Sequence, residues 1–238
     1  DKIRNTLKVP HVHTAGYCLG GNLLAFGLSH LAENNKDWIK SATFLATTID
    51  FTQMDELRPF LEPSVLRQVD THIQEKGYLE GEVLTSLFNW LRAEDLIFAA
   101  IINRYFLNKP PTALDFLYWN ADPAPVAEPV WNDILRLCIK NNAHMHPQPS
   151  KDFPTHLKNV SIPLFLLATR DDHISPWRSC FAMNGLTKGP VREVLAKAGH
   201  VAGVINPPQQ KKYGYFTNEA TEADPDRWKR QTKEHHGS

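Results

Sequence analysis

Val12 to Ala15 is a short strand-like run that ends in Gly16-Tyr17-Cys18-Leu19-Gly20-Gly21. Leu23, Leu24, Phe26, Leu28 and Leu31 then recur at helical spacing. The unit predicted is strand, tight turn, helix. Ala42 to Thr47, Ile162 to Ala168 and Val191 to Ala196 are further apolar runs of strand length. Short apolar strands alternating with helices predict a mainly parallel sheet buried on both faces. Between the second and third strands lies a long stretch without strand pattern. Pro63 to Lys76 reads there as an amphipathic helix, Val83 to Leu107 as one long or two broken helices, and Val130 to Ile139 as another. A helical cap over residues 51–155, inserted into an α/β core, is the expected organisation. After Asn206-Pro207-Pro208 the chain turns polar, with one helix expected near Asp224 to Glu234.

Charge and composition narrow the function classes. The 26 basic side chains are matched by 26 acidic ones, so no net field draws the chain to nucleic acid or an anionic membrane. No apolar run reaches the roughly 18–20 residues of a membrane helix. Three widely spaced cysteines, Cys18, Cys138 and Cys180, form no CxxC pair, which argues against a disulfide framework and a zinc site and for a reducing cytoplasm. The eleven histidines show no metal-ligand spacing, so no metal is expected.

Gly16-Tyr17-Cys18-Leu19-Gly20 fits the G-x-S-x-G nucleophile elbow with cysteine in the serine position. So tight a strand-to-helix turn requires side-chain-free neighbours two residues away, and it exposes the nucleophile at a helix N-terminus. The positive end of the helix dipole favours the thiolate there, and the Leu19 backbone N–H is placed to donate to an oxyanion. The acid and base should follow in chain order at later strand ends. The loop after the third strand offers Asp171, Asp172 and His173; the loop after the fourth offers His200. Each alone reads as a loop residue. The order Cys18, Asp172, His200 at successive strand ends reads as a triad on an α/β-hydrolase-type core.

Gly16-Tyr17-Cys18-Leu19-Gly20-Gly21, Thr169-Arg170-Asp171-Asp172-His173-Ile174-Ser175-Pro176-Trp177 and Gly199-His200-Val201-Ala202-Gly203-Val204-Ile205-Asn206-Pro207-Pro208 resemble the three signature segments of polyhydroxyalkanoate synthases. The stretches Trp90 to Leu96, Tyr118 to Asp122 and Glu234 to Ser238 are also similar, and "GVINPP" resembles the single-subunit classes. The resemblance implies an acyltransferase that polymerises (R)-3-hydroxyacyl-coenzyme A, releases coenzyme A and carries the chain on Cys18. Asp172 would orient His200 or assist the attacking hydroxyl. No cofactor is implied, since the coenzyme A thioester is the substrate; the growing polyester is the partner. A location in the cytoplasm at polyester granules and a homodimer through the cap go with this expectation. Trp119 and His173 are candidate pocket residues.

Residues 123–149 follow the family pattern poorly, and the elbow strand comes so early that the preceding core strands, one of which supplies a second oxyanion N–H, are expected to be missing from the chain. Two other expectations stand beside the synthase: a cysteine hydrolase of the dienelactone hydrolase type, and a fragment without catalytic competence.

Overall fold

The structure, a computed structural model, describes residues 2–91, 93, 97–110, 118, 122–147, 156–219 and 222–238. Among these the strands are β1 (Val12–Tyr17), β2 (Ile39–Leu45), β3 (Tyr78–Leu79), β4 (Val126–Ala127), β5 (Leu164–Thr169), β6 (Val191–Ala196), β7 (Tyr215–Thr217) and β8 (Lys233–His235). The chain divides into two compact units, Asp1–Met54 with Cys138–Ser238, and Asp55–Leu137.

The first unit holds a six-stranded sheet in the order β1-β2-β5-β6-β7-β8. Pairing is parallel from β1 through β6 and antiparallel from β6 to β8. Leu164, Leu166 and Ala168 on β5, Phe44 on β2 and Leu195 on β6 bury one continuous core with Phe181, Met183 and Trp228. Phe181 meets Trp228 edge-on, with ring centroids 4.8 Å apart, a geometry suited to the ring quadrupoles. The interior strand β5 is apolar at nearly every position and buried or half-buried throughout, as a covered parallel strand must be, whereas the edge strand β1 alternates between exposed and buried or half-buried positions. The helix Leu19–Glu33 follows β1 and buries Ala25, Phe26 and Leu28.

The polar C-terminal stretch differs from its expected form. The helix there is only Pro225–Arg230, capped by Asp224, whose carboxylate accepts from the Asp226 and Arg227 amides at 2.8 and 3.0 Å. It gives way to β8, and β7 precedes it. Three-residue strands of mixed polarity carry no alternation of their own; the ladder offered by β6 organises them.

In the second unit the 3-10 turn Asp55–Leu61 is followed by the α-helix Pro63–Lys76, started by a proline in its first turn and stopped by Gly77 at φ 80°. Its bounds match the sequence expectation. The helix Gly81–Leu91 and the pair of turns Ala99–Ile101 and Ile102–Phe106, the latter widened to π geometry, lie in the stretch from Val83 to Leu107 that was expected to form one long or two broken helices. The short antiparallel pair β3–β4 stands where no strand was expected. The unit is shorter than the expected insertion over 51–155. Phe51 and Asn142 belong to the sheet-bearing unit, where the Phe51 amide donates to Asn142 Oδ1 at 3.0 Å and Asn142 Nδ2 donates to Asp50 at 2.8 Å.

One core residue runs against composition rules. Glu193 on β6 is 3% exposed. Among the described residues only Asn184, at 3.3 Å, donates to its carboxyl, and Oε1 has no hydrogen-bond partner there. Burial pushes its pKa up to about 8. The folded state therefore keeps a proton that the unfolded chain releases near pH 4.5, so stability falls as pH rises between those values. Glu193→Gln should remove that slope and be the more stable protein at pH 8.5, by chemical denaturation, with little difference at pH 5. Parallel pH dependences in the two proteins would contradict this.

Candidate active site

Cys18 stands between β1 and the helix Leu19–Glu33 at φ 51° and ψ −124°. A non-glycine residue in that region is strained, and surroundings must hold it there. The holding contacts are visible. The Cys18 amide donates to the Leu45 carbonyl at 2.9 Å, and the Gly21 amide donates to the Cys18 carbonyl at 2.9 Å. A β-carbon on Gly16 would lie 2.6 Å from Gly21 Cα, and one on Gly21 would lie 1.9 Å from Thr47 Oγ1. Gly16 and Gly21 are thus required by close approach, whereas Gly20, the second glycine of the expected motif, is not: a β-carbon there would meet nothing within 4 Å, so the close packing falls one residue later than the motif implies. Cys18 is half-buried. Leu19 opens the helix, so its amide lacks an acceptor within the helix.

Asp172 follows β5 and is held from four sides. Its Oδ2 accepts from the Thr169 hydroxyl at 2.6 Å and from His200 Nδ1 at 2.7 Å. Its Oδ1 accepts from the Ile174 and Ser175 amides at 2.9 and 2.8 Å. Burial alone would raise its pKa. The hydrogen bond and charge of His200, the Ser175 amide and the Thr169 hydroxyl outweigh that and hold it below the ordinary carboxylate value.

A carboxylate can only accept, so the bond to His200 places the proton on Nδ1 and leaves Nε2 for Cys18. Burial would lower the pKa of His200. Its hydrogen bonds to Asp172 and to Cys18, backed by the charges of both, push it up to about 9. The imidazole is buried, 8% exposed in its side chain. Cys18, Asp172 and His200 thus converge from three strand ends of one sheet. The arrangement can move a proton between a thiol and a positioned imidazole, and so present a sulfur nucleophile.

Asp171, the competing acid, turns away. Its carboxylate accepts from Arg170 Nε and Nη2 at 2.8 and 2.9 Å, and this pairing lowers its pKa at the surface. His173 is half-buried in the same turn. Trp119 lies outside the described residues. Among the described residues no cluster of three or more His, Cys, Asp or Glu could hold a metal ion, and no helix is long and apolar enough to cross a membrane.

Several supporting residues are not singled out by the sequence. Thr169 and Ser175 serve Asp172, and the Ser175 hydroxyl also accepts from Thr48 at 3.0 Å. Asn22, one turn into the elbow helix, meets the buried His144 at 3.1 Å. That imidazole stacks on Phe26, and burial pushes it down to about 4, so it is neutral. Tyr17 lies over His200.

The family model described as the alpha/beta hydrolase fold matches residues 1–207. A poly(3-hydroxyalkanoate) polymerase of Methylorubrum extorquens is 41% identical over 229 residues, covering 95% of this chain and 38% of that protein. Poly(3-hydroxyalkanoate) polymerase subunits of Rhizobium etli and Rhizobium meliloti are 38% and 37% identical over 95% and 100% of this chain, and over 36% and 39% of theirs. The chain therefore spans under two fifths of the length of these relatives. Among solved structures, a putative hydrolase from Agrobacterium vitis S4 aligns over 87% of this chain and 59% of that one, at 15% identity and a TM-score of 0.47.

Proposed function

The chain belongs to the alpha/beta hydrolase fold family, and from that premise we propose that it carries the acyl-transfer centre of a polyester synthase, polymerising (R)-3-hydroxyacyl units from coenzyme A thioesters. The reading rests on one observation, the Asp172–His200 pair of 2.7 Å beside a cysteine held at a strained elbow, in a chain similar over most of its length to poly(3-hydroxyalkanoate) polymerases.

In this reading His200 takes the Cys18 proton, and the sulfur attacks the thioester carbonyl while the Leu19 amide donates to the developing oxyanion. The carbon–sulfur bond to coenzyme A breaks, His200 returns the proton to the departing thiolate, and a Cys18 thioester remains. The 3-hydroxyl of the next unit then attacks that thioester and gives its proton to His200; the acyl carbon–sulfur bond to Cys18 breaks as the polymer's ester bond forms, and His200 returns the proton to the Cys18 thiolate. Cysteine suits this sequence because exchanging one thioester for another keeps the acyl group activated, and ester formation then runs downhill. With this reading go a cytoplasmic protein at the surface of polyester granules and a homodimer formed through the second unit, where Trp90, Phe98, Tyr105 and Phe106 are exposed. Light scattering that finds only a monomer would remove the dimer.

A dienelactone-type hydrolase would share the first half-reaction and give the acyl group to water. Incubation with (R)-3-hydroxybutyryl-coenzyme A separates the two. Ester-linked oligomers recovered in amounts matching the released coenzyme A are the expected product. Stoichiometric free 3-hydroxybutyrate would place the chain among the hydrolases.

A further inference from the structure

Tyr17 is the last residue of β1, and its backbone is fixed opposite Leu45 in the parallel ladder with β2. Its hydroxyl donates to the backbone carbonyl of His200 at 3.1 Å, across 183 positions of chain. Its ring lies against the His200 imidazole, centroids 5.1 Å apart and planes inclined by 37°. We propose that Tyr17 is a positioning residue for His200: its hydroxyl ties the base loop to β1, and its ring face stabilises the imidazolium formed when Cys18 gives up its proton. This rests on the reading of Cys18 and His200 as nucleophile and base.

His200 needs such a hold because its own segment has no regular structure. The loop from Gly199 to Asn206 is closed by turn bonds such as Gly203 N–H to the Gly199 carbonyl at 2.9 Å and Ile205 N–H to the Val201 carbonyl at 2.8 Å. Asp172 fixes the imidazole at Nδ1 alone. A ring anchored by one carboxylate, with only the reacting thiol at its other nitrogen, can still pivot, and a pivot of an ångström takes Nε2 off the thiol. Tyr17 supplies the second and third points of attachment from a rigid strand. Burial, then the electrostatic influence of Cys18 and Asp172, push the phenol pKa upward, so Tyr17 remains a donor throughout the working range. The charged and titratable groups that face the imidazole are Asp172, Cys18 and this phenol. The negative face of an aromatic ring attracts a cation within about 6 Å of its centroid, so the tyrosine favours imidazolium over imidazole.

The two parts separate by substitution. Tyr17→Phe keeps the ring and loses the clamp; Tyr17→Leu loses both. His200 is followed by NMR titration of histidine-labelled protein, its resonance assigned by comparison with His200→Gln, and single-turnover release of coenzyme A is measured in parallel. Tyr17→Phe should leave the titration near 9 and slow release about fivefold, the worth of one hydrogen bond. Tyr17→Leu should slow it further and lower the titration by roughly half a pH unit. A wild-type rate in Tyr17→Phe overturns the clamp. An unmoved titration in a folded Tyr17→Leu protein overturns the role of the ring, and if leucine prevents folding, Tyr17→Trp should hold the wild-type titration point while a fall there overturns it equally. Should the wild-type protein release no coenzyme A while the titrations shift as stated, the acyl-transfer reading fails and the assignment of Tyr17 stands.

Discussion

Cys18→Ala is expected to abolish coenzyme A release, with no acyl group bound to protein at any time after mixing. Alanine has no atom that can form the thioester, and the strained turn that presents Cys18 accepts a β-carbon already, so the protein should still fold. Cys138→Ala and Cys180→Ala should keep most of the activity. Both are buried, 1% and 4% exposed. Burial pushes the Cys138 thiol up to about 12 and raises that of Cys180 well above its ordinary value. Neither is then a thiolate at neutral pH, and only the thiolate attacks. Turnover in Cys18→Ala, or its loss in either buried variant with folding intact, would move the nucleophile elsewhere. The assay is coenzyme A release by thiol titration, in variants matched for helicity.

His200→Gln and Asp172→Asn form the second large effect. A thiol left to itself is a few per cent thiolate at neutral pH, so removing the base should slow even the first release of coenzyme A by about 10²–10⁴. The sequence leaves open whether Asp172 orients His200 or helps the incoming hydroxyl in the second step. The geometry favours the first. Both oxygens of Asp172 are occupied, Oδ1 by two amides and Oδ2 by Thr169 and His200, and its side chain is fully shielded from solvent. No lone pair is turned toward a substrate. Asp172→Asn should therefore lose acylation as His200→Gln does. The amide removes the hydrogen bond and the charge that raise His200, so the imidazole should titrate well below 9 in this variant. Rapid quench with (R)-3-hydroxybutyryl-coenzyme A distinguishes the roles. A full first equivalent of coenzyme A from Asp172→Asn, followed by a stall, would put the carboxylate in the second step. Asp171→Asn, whose partner is Arg170 at the surface, should cost far less than either.

What could be read in advance divides along physical lines. β2, β5 and β6 announce themselves because strands inside a parallel sheet are largely apolar, and β1 because it runs straight into the glycine-flanked elbow. Pro63–Lys76 announces itself through proline at one end and glycine at the other. The elbow is legible because Gly16 and Gly21 answer to close contacts that allow no substitute. β7 and β8 are not, being three residues each and partly polar: Tyr215 stacks on His235 at 4.8 Å, and the Thr217 hydroxyl pairs with the His235 ring at 2.8 Å, contacts that exist only once the strands are paired. The pair Asp171-Asp172 fixes the loop from sequence, while the choice between its members depends on which carboxylate the turn amides of Ile174 and Ser175 point toward. Tyr17 on His200 and His144 on Asn22 are contacts between residues 183 and 122 positions apart, so no window of sequence reveals them. Glu193 reads as an ordinary polar position in a strand and proves to be buried.

The central claim is that the acyl group passes through Cys18. The direct measurement is mass spectrometry of protein quenched in acid within the first turnover of (R)-3-hydroxybutyryl-coenzyme A, followed by peptide mapping under conditions that preserve thioesters. The account predicts one 3-hydroxyacyl group on the peptide containing Cys18, appearing with the first equivalent of coenzyme A and absent from Cys18→Ala. An adduct on Cys138, Cys180 or a serine, or release of coenzyme A with no adduct on any peptide throughout the time course, would contradict it.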